Sequence, residues 1–350
     1  MTSQQSQRKK EHLSLATKAW KDHTNPEIGA RFDRVRWLPN TLPELALDQV
    51  DTSTELAGIK QNWPFYIEAM TGGSDMSFKV NQQLAQVAKK TDLAMAVGSQ
   101  SLALKDPSVA DSFKIVRKEN PDGILLANLG ADHPIENVRA AVDMIEANAI
   151  ELHVNVAQEL AMAEGDRGFY WLDNLATIIA KSPVPVIIKE VGFGMSVDSI
   201  KKIAQLEPAA INLGGANGTN FAQIEQSRDR QDENPLDLSF YGLSTVESLL
   251  AAQVADVQVP VIATGGLKSP RDVVTTLMLG AQTSSSAGFF LSQIMAGGPD
   301  QLEATIREWQ AALPKLMLLL GKKRVADLKS APHIFDLELQ NYIQQIKKTS

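Results

Sequence analysis

From residue 63 onward the chain keeps a steady rhythm. A short apolar run gives way to a polar or glycine-bearing turn, then to a longer stretch with apolar residues at helical spacing. The runs occupy residues 64–69, 93–97, 122–127, a stretch opening at Ile150, then 184–189, 209–213, 259–263 and a weaker one at 281–285. Helices are expected over 81–90, 108–118 and 135–146, from Ser196, and from about Gly242. Apolar runs alternating with helices spell a parallel sheet, and eight such units in 350 residues favour a closed (β/α)8 TIM barrel over an open doubly wound sheet. The expected fold class is therefore α/β, a single barrel domain over residues 1–350.

The flanks depart from the rhythm. Residues 1–62 form an N-terminal extension, with a helix expected over 7–20, Arg8-Lys9-Lys10 at its start, and an irregular connection over 25–43. A strongly apolar C-terminal helix is expected over 300–320. Between the sixth strand and the helix near Gly242 lies a long polar connection, residues 214–240, expected to be a mobile lid over the barrel mouth because loops of that length in compact domains are usually functional or disordered.

Composition narrows the function. The formal net charge of −7 and sequence pI of about 5.4 argue against a nucleic-acid binder. Cysteine is absent, which excludes disulfides, thiolate metal sites and cysteine nucleophiles. No apolar run reaches the ~18 residues of a membrane span, and the N-terminus has no apolar segment after its basic residues. A cytoplasmic protein without membrane association is the expectation.

Candidate chemistry gathers where the strands end. After the seventh run, Thr264-Gly-Gly-Leu267 lets backbone amides approach a phosphate, with the dipole of the following helix expected to assist. Ser286-Ala-Gly288 offers a second such turn, and phosphate sites after strands seven and eight recur in barrels. Thr71, Gly72, Ser99, Asn128, Lys189 and Thr219 each follow a different strand and could converge on one flat ligand. An unpaired Lys189 ammonium at the end of an apolar strand would be costly to bury unless an anion or electron-poor ring lay nearby. Together these point to FMN, its phosphate at strands seven and eight and its ring over the barrel axis. The fourth strand carries Glu151 and His153 on one face with Asn155, then Gln158 and Glu159. No paired Asp/Glu dyad for proton transfer is apparent.

Ordered along the chain, several motifs resemble those of the type 2 isopentenyl-diphosphate isomerase family of FMN-dependent (β/α) barrels. They include Arg8-Lys-Lys-Glu-His12, Ala69-Met-Thr-Gly-Gly73, Asn128-Leu-Gly-Ala131, His153 with Gln158-Glu159 and Glu164-Gly-Asp-Arg167, Gly218-Thr-Asn-Phe221 and Thr264-Gly-Gly266. The resemblance implies interconversion of isopentenyl and dimethylallyl diphosphate, with FMN kept reduced by NADPH and Mg2+ on the diphosphate. It implies that Thr71, Gly72, Gly73, Ser99, Asn128, Lys189, Gly214, Thr219, Gly265, Gly266, Leu267, Ala287 and Gly288 hold FMN. Arg8, Lys9 and Gln158 would contact substrate, with His153 and Asn155 at the reacting centre, and Glu159 would ligate the metal. A homotetramer or homo-octamer is implied, in which Arg8 and Lys9 reach a neighbouring barrel. The chain departs from the family's pattern at Ser101, where an Arg is frequent, at Ala163 in Met162-Ala-Glu-Gly165, and at Gly214, which replaces a hydroxyl. An FMN-dependent 2-hydroxy acid oxidase or dehydrogenase is the alternative. It would need a His base paired with Arg after the later strands, and those turns carry no His. A non-catalytic flavin-binding protein is the third reading.

Overall fold

The computed structural model describes residues 30–162, 165–216, 238 and 240–349. The expected helix over 7–20, Arg8, Lys9, Thr219 and nearly all of the expected lid lie outside the described residues.

Eight parallel strands close into a barrel: β4 (Phe65–Ile67), β5 (Met95–Ala96), β6 (Leu125–Gly130), β7 (Ala149–Val154), β8 (Val186–Glu190), β9 (Ala210–Asn212), β10 (Val261–Thr264) and β11 (Thr283–Ser286). β11 pairs with β4 through Ser285 opposite Tyr66, which closes the ring. The helices are α1 (Asp75–Thr91), α2 (Ser101–Lys105), α3 (Asp111–Glu119), α4 (Ile135–Ile145), α5 (Val156–Ala161), α6 (Leu172–Lys181), α7 (Val197–Ala204), α8 (Thr245–Ala255), α9 (Pro270–Met278), α10 (Gly288–Leu319) and α11 (Leu337–Thr349). Local chemistry sets where they begin. Ser74, Ser196, Ser244 and Ser269 each accept a backbone N–H from the first turn of α1, α7, α8 and α9, and Ser244 completes a capping box with Glu247.

The side-chain period of two divides each strand between two environments. Phe65, Ile67, Leu125, Ala127, Ile150, Leu152, Ile188, Val261 and Ala263 point outward into the core shared with the helices. Inside the barrel a separate apolar layer contains Ala94, Ala96, Leu126, Ala149, Ile187, Ala210 and Ile262. Two residues further along the same strands, the buried side chains become Asn128, Glu151, Lys189, Asn212 and Thr264. The inward face is thus apolar toward the N-terminal end and polar toward the C-terminal mouth.

Flanking elements depart from expectation. The connection expected to be irregular contains β1 (Val35–Trp37), paired antiparallel with β12 (His333–Phe335). A hairpin of β2 (Thr54–Leu56) and β3 (Ile59–Gln61) sits at the N-terminal end of the barrel, where Leu56 joins the inner apolar layer and Gln61 Nε2 donates to Thr283 Oγ1 at 2.7 Å. The C-terminal helix starts earlier than expected, because α10 runs from Gly288 through a kink at Gly298, just before Pro299. Its buried Leu302, Ile306, Trp309, Leu313 and Met317 recur every three or four residues and join the outer core. No helix among the described residues is long and apolar enough to cross a membrane.

Candidate active site

The cavity at the C-terminal mouth encloses about 360 Å3, within the size class of small-molecule and cofactor sites. At one end are Gly265, Gly266, Leu267, Ala287 and Gly288; across the floor are Thr71, Ser99, Asn128, Lys189 and Gly214; at the rim are His153, Asn155, Gln158 and Glu159. The residues singled out from the sequence therefore share one cavity where they are described, apart from two. Gly72 and Gly73 are not in its wall. A Cβ on Gly72 would stand 1.9 Å from the Phe113 ring, and Gly73 gives its N–H to Ser112 Oγ at 2.8 Å, so this pair seats the first turn against α3.

The glycine end is built by close backbone approach. Gly265 has φ 117°, and a Cβ there would meet the Gly215 carbonyl oxygen at 2.1 Å. Two helices follow the glycine-bearing turns, α9 and α10. At α9, Ser269 accepts the Asp272 N–H and Asp272 accepts the Lys268 N–H just ahead of the helix. Helix α10 instead begins at Gly288, in the cavity wall, where its first backbone N–H groups have no intrahelical acceptor. Phe289 and Phe290 stack around Trp309, with ring centroids 5.6 and 5.0 Å away, and this aromatic packing anchors the start of α10.

Below the floor lies a buried polar network that the sequence pattern does not announce. Glu68 Oε2 accepts from Asn212 Nδ2 (2.8 Å), Thr264 Oγ1 (3.1 Å), Ser285 Oγ (2.6 Å) and Tyr66 OH (3.2 Å). Its Oε1 accepts the Ala69 N–H at 2.8 Å and lies 3.7 Å from Lys189 Nζ. Burial would push the Glu68 carboxyl up, but the Lys189 ammonium and the donors from Ser285 and Ala69 outweigh it, holding the group below the usual carboxylate range. Glu151 has the opposite balance. Burial and the like charge of Glu68 raise it well above that range, against smaller opposing effects of Lys189 and Asn128. Tyr66 OH bridges the two, 3.0 Å from Glu151 Oε1. The sequence pattern does not announce this pair because Glu68 reads as part of an apolar run, although it shares the inward face with Tyr66.

The network reaches the rim. Asn128 Nδ2 donates to Glu151 Oε2 at 3.0 Å, so its Oδ1 faces His153 Nδ1, also at 3.0 Å. That arrangement places the proton of a neutral His153 on Nδ1. At the rim, Asn155 Nδ2 and the Asp166 N–H each donate to one Glu159 carboxylate oxygen at 2.8 Å, fixing it at the start of α5. No group of three potential metal ligands occurs among the described residues. Glu159 thus offers one hard oxygen ligand, which suits a Mg2+ ion that keeps waters and binds phosphate oxygens rather than a protein-caged metal.

Two further groups have shifted acidities, His133 in the cavity wall and Glu190 at the end of β8. His133 Nε2 lies 2.7 Å from Ser101 Oγ, and burial lowers its pKa, with Lys105 adding to that effect and Asp132 opposing it. Glu190 accepts the backbone N–H groups of Gly192, Phe193 and Gly194; burial nonetheless lifts it to about 7.

These residues fit FMN. The cavity joins backbone amides at a glycine-lined end to a buried ammonium, Lys189, and its wall carries apolar Leu267 and Phe289 for a planar ring. A family model described as FMN-dependent dehydrogenase matches residues 116–335. Among solved structures, a flavocytochrome b2 variant superimposes with a TM-score of 0.67 at 18% identity, covering 95% of this chain and 84% of that one. A mandelate oxidase gives 0.63 at 14% identity over 93% and 99%. Identities that low show the shared fold alone. Sequence relatives are closer. Isopentenyl-diphosphate delta-isomerase of Lactococcus lactis is 49% identical over 340 residues, 97% of each chain. The protein of the same name from Limosilactobacillus reuteri is 44% identical over 347 residues, 99% of each. The chain belongs to the FMN-dependent dehydrogenase family of barrels and, within it, to the isopentenyl-diphosphate delta-isomerases.

Proposed function

We propose that this protein interconverts isopentenyl and dimethylallyl diphosphate, with FMN kept reduced by NADPH and Mg2+ on the diphosphate. The observation that carries the reading is one continuous cavity linking the amide-lined end at Gly265 and Gly288, the Lys189 floor, and the rim of His153, Asn155, Gln158 and Glu159. When bound, reduced FMN supplies a group that can give and take a proton without net redox change. Lys189 offers positive charge to the ring, and Asn128 orients His153 toward the substrate side. Gln158, a neutral amide and a poor acid, positions the allylic chain. Thr264 and Ser285 hold the Glu68 carboxylate in the cavity wall beside Lys189.

Charge balance supports the metal and the N-terminal cations. The cavity wall carries Lys105 and Lys189 against Glu68, Asp132, Glu159 and Asp166. Such a wall repels a diphosphate unless Mg2+ on Glu159, and Arg8 with Lys9, turn the balance. A homotetramer or homo-octamer in the cytoplasm is part of the same reading. The 2-hydroxy acid oxidase reading is disfavoured because the wall after β10 and β11 (Thr264, Gly265, Gly266, Leu267, Ser286, Ala287 and Gly288) contains neither His nor Arg. The test is conversion of isopentenyl diphosphate with FMN, NADPH and Mg2+, each omitted in turn. Turnover requiring all three supports the proposal, and none in the full mixture refutes it.

A further inference from the structure

Geometry constrains the protons of the Glu68–Glu151 pair at the cavity floor. Tyr66 has one hydroxyl proton and two carboxyl neighbours, Glu68 Oε2 at 3.2 Å and Glu151 Oε1 at 3.0 Å. Asn212 Nδ2 donates both to Tyr66 OH and to Glu68 Oε2, at 3.2 and 2.8 Å. Thr264 Oγ1 and Ser285 Oγ are also bonded to each other, so one of these hydroxyls donates to Glu68. With it, Asn212, the Ala69 N–H and the Lys189 ammonium around it, Glu68 is the acceptor-only partner, a carboxylate. Tyr66 then gives its proton to Glu68, and the contact with Glu151 needs a proton from Glu151. An ionised Glu151 would put two negative charges against one Lys189 in a site with no solvent exposure at either carboxylate, a severe desolvation cost. Lys189 is shared in turn between Glu68 below and whatever fills the cavity above, since both residues line it.

We propose that Glu68 and Glu151 are a charge-setting pair for the bound ring: Glu68 is the resident counter-ion that competes with the ring for Lys189, and Glu151 is a neutral acid that holds Asn128 and His153 in register. The inference rests on the flavin reading. Two-electron reduction by dithionite that protonates the ring once leaves it with one negative charge, so Glu68 opposes that state and Glu151 does not. The other titratable groups facing the pair are Tyr66 on β4 and Lys189 on β8, with His153 on β7 reached through Asn128; the facing residues of β6, β9, β10 and β11 are uncharged.

The test is the flavin midpoint potential of the holoenzyme, wild type against Glu68→Gln and Glu151→Gln, by dithionite titration at pH 8. Glu68→Gln frees Lys189 for the reduced ring and favours it over the oxidised ring at least tenfold, an upward shift of about 30 mV for two electrons. Glu151→Gln exchanges one neutral group for another and leaves the potential in place. Equal shifts in the two variants, or none in Glu68→Gln, overturn the pair while the flavin reading stands. A wild-type protein that takes up no flavin overturns both. Should a variant fail to fold, the wild-type holoenzyme answers by infrared spectroscopy at pH 9, where Glu190 is ionised. A protonated-carboxyl band that moves on 13C-glutamate labelling supports a neutral Glu151, and its absence overturns it.

Discussion

Replacing Gly265 with alanine tests the amide-lined end most sharply. The new Cβ would stand 2.1 Å from the Gly215 carbonyl oxygen and 2.7 Å from Thr245 Oγ1. Neither neighbour yields easily: Gly215 N donates to the Thr264 carbonyl at 2.7 Å, and Thr245 Oγ1 donates to the Gly265 carbonyl at 2.7 Å. The turn must therefore retreat by more than ~1 Å to reach ordinary carbon contact. A phosphate amide moved that far leaves the ~2.7–3.2 Å hydrogen-bond window. Losing one such charge-assisted bond costs about 1.5–3 kcal/mol, or roughly 10- to 150-fold in FMN affinity. Gly280→Ala is the control. Its φ of 101° carries the same left-handed penalty, of order 1–2 kcal/mol, but its Cβ meets nothing within 4 Å. Titrating flavin-stripped protein with FMN, followed by quenching of flavin fluorescence, should show weaker binding for Gly265→Ala and little change for Gly280→Ala, while thermal melts report the shared backbone strain. Equal affinities in the two variants would refute the assignment of this turn to the phosphate.

Other expected outcomes concern the rim and the mouth. Ser101→Arg should lower KM for isopentenyl diphosphate by roughly tenfold through a charge-assisted phosphate contact, although it displaces the Ser101–His133 hydrogen bond; an unchanged KM would place the diphosphate elsewhere. Glu159→Gln should reduce kcat/KM about 10- to 150-fold and weaken the Mg2+ dependence, and a wild-type Mg2+ titration would argue against its role as ligand. Glu190 binds its proton more tightly folded than unfolded, so its contribution to stability falls as pH rises from its ordinary 4.5 to about 7. The fall amounts to at most about 3 kcal/mol in the ligand-free protein. Denaturant unfolding of Glu190→Gln should lack that slope, and parallel pH curves would contradict it.

The barrel is legible in the sequence because strands apolar on both faces stand out from helical spacing, and all eight appear in the closed ring. The rim is legible too, since His153, Asn155, Gln158 and Glu159 crowd one strand end. Other features leave weaker traces. β1, β2, β3 and β12 have three residues each, too few to show a period, and they pair either with partners distant in sequence or in a tight hairpin. That Ser269 caps α9 while α10 opens in the cavity wall leaves no trace in the sequence, because both helices follow glycine-bearing turns. Glu68 is hidden for a different reason. One carboxylate at the end of Phe65-Tyr-Ile reads as the strand's edge, yet the alternation that puts Tyr66 inward puts Glu68 inward as well. The same parity, applied to six of the eight strands, lines up Glu68, Asn128, Glu151, Lys189, Asn212 and Thr264 as one inward polar layer.

A redox-neutral isomerisation on a flavin barrel consumes no NADPH per turnover, so the ratio of product formed to NADPH oxidised is the decisive measurement. With purified protein, FMN, Mg2+ and isopentenyl diphosphate under anaerobic conditions, many molecules of dimethylallyl diphosphate should form for each NADPH oxidised. A one-to-one ratio, or NADPH consumption without allylic product, would contradict it.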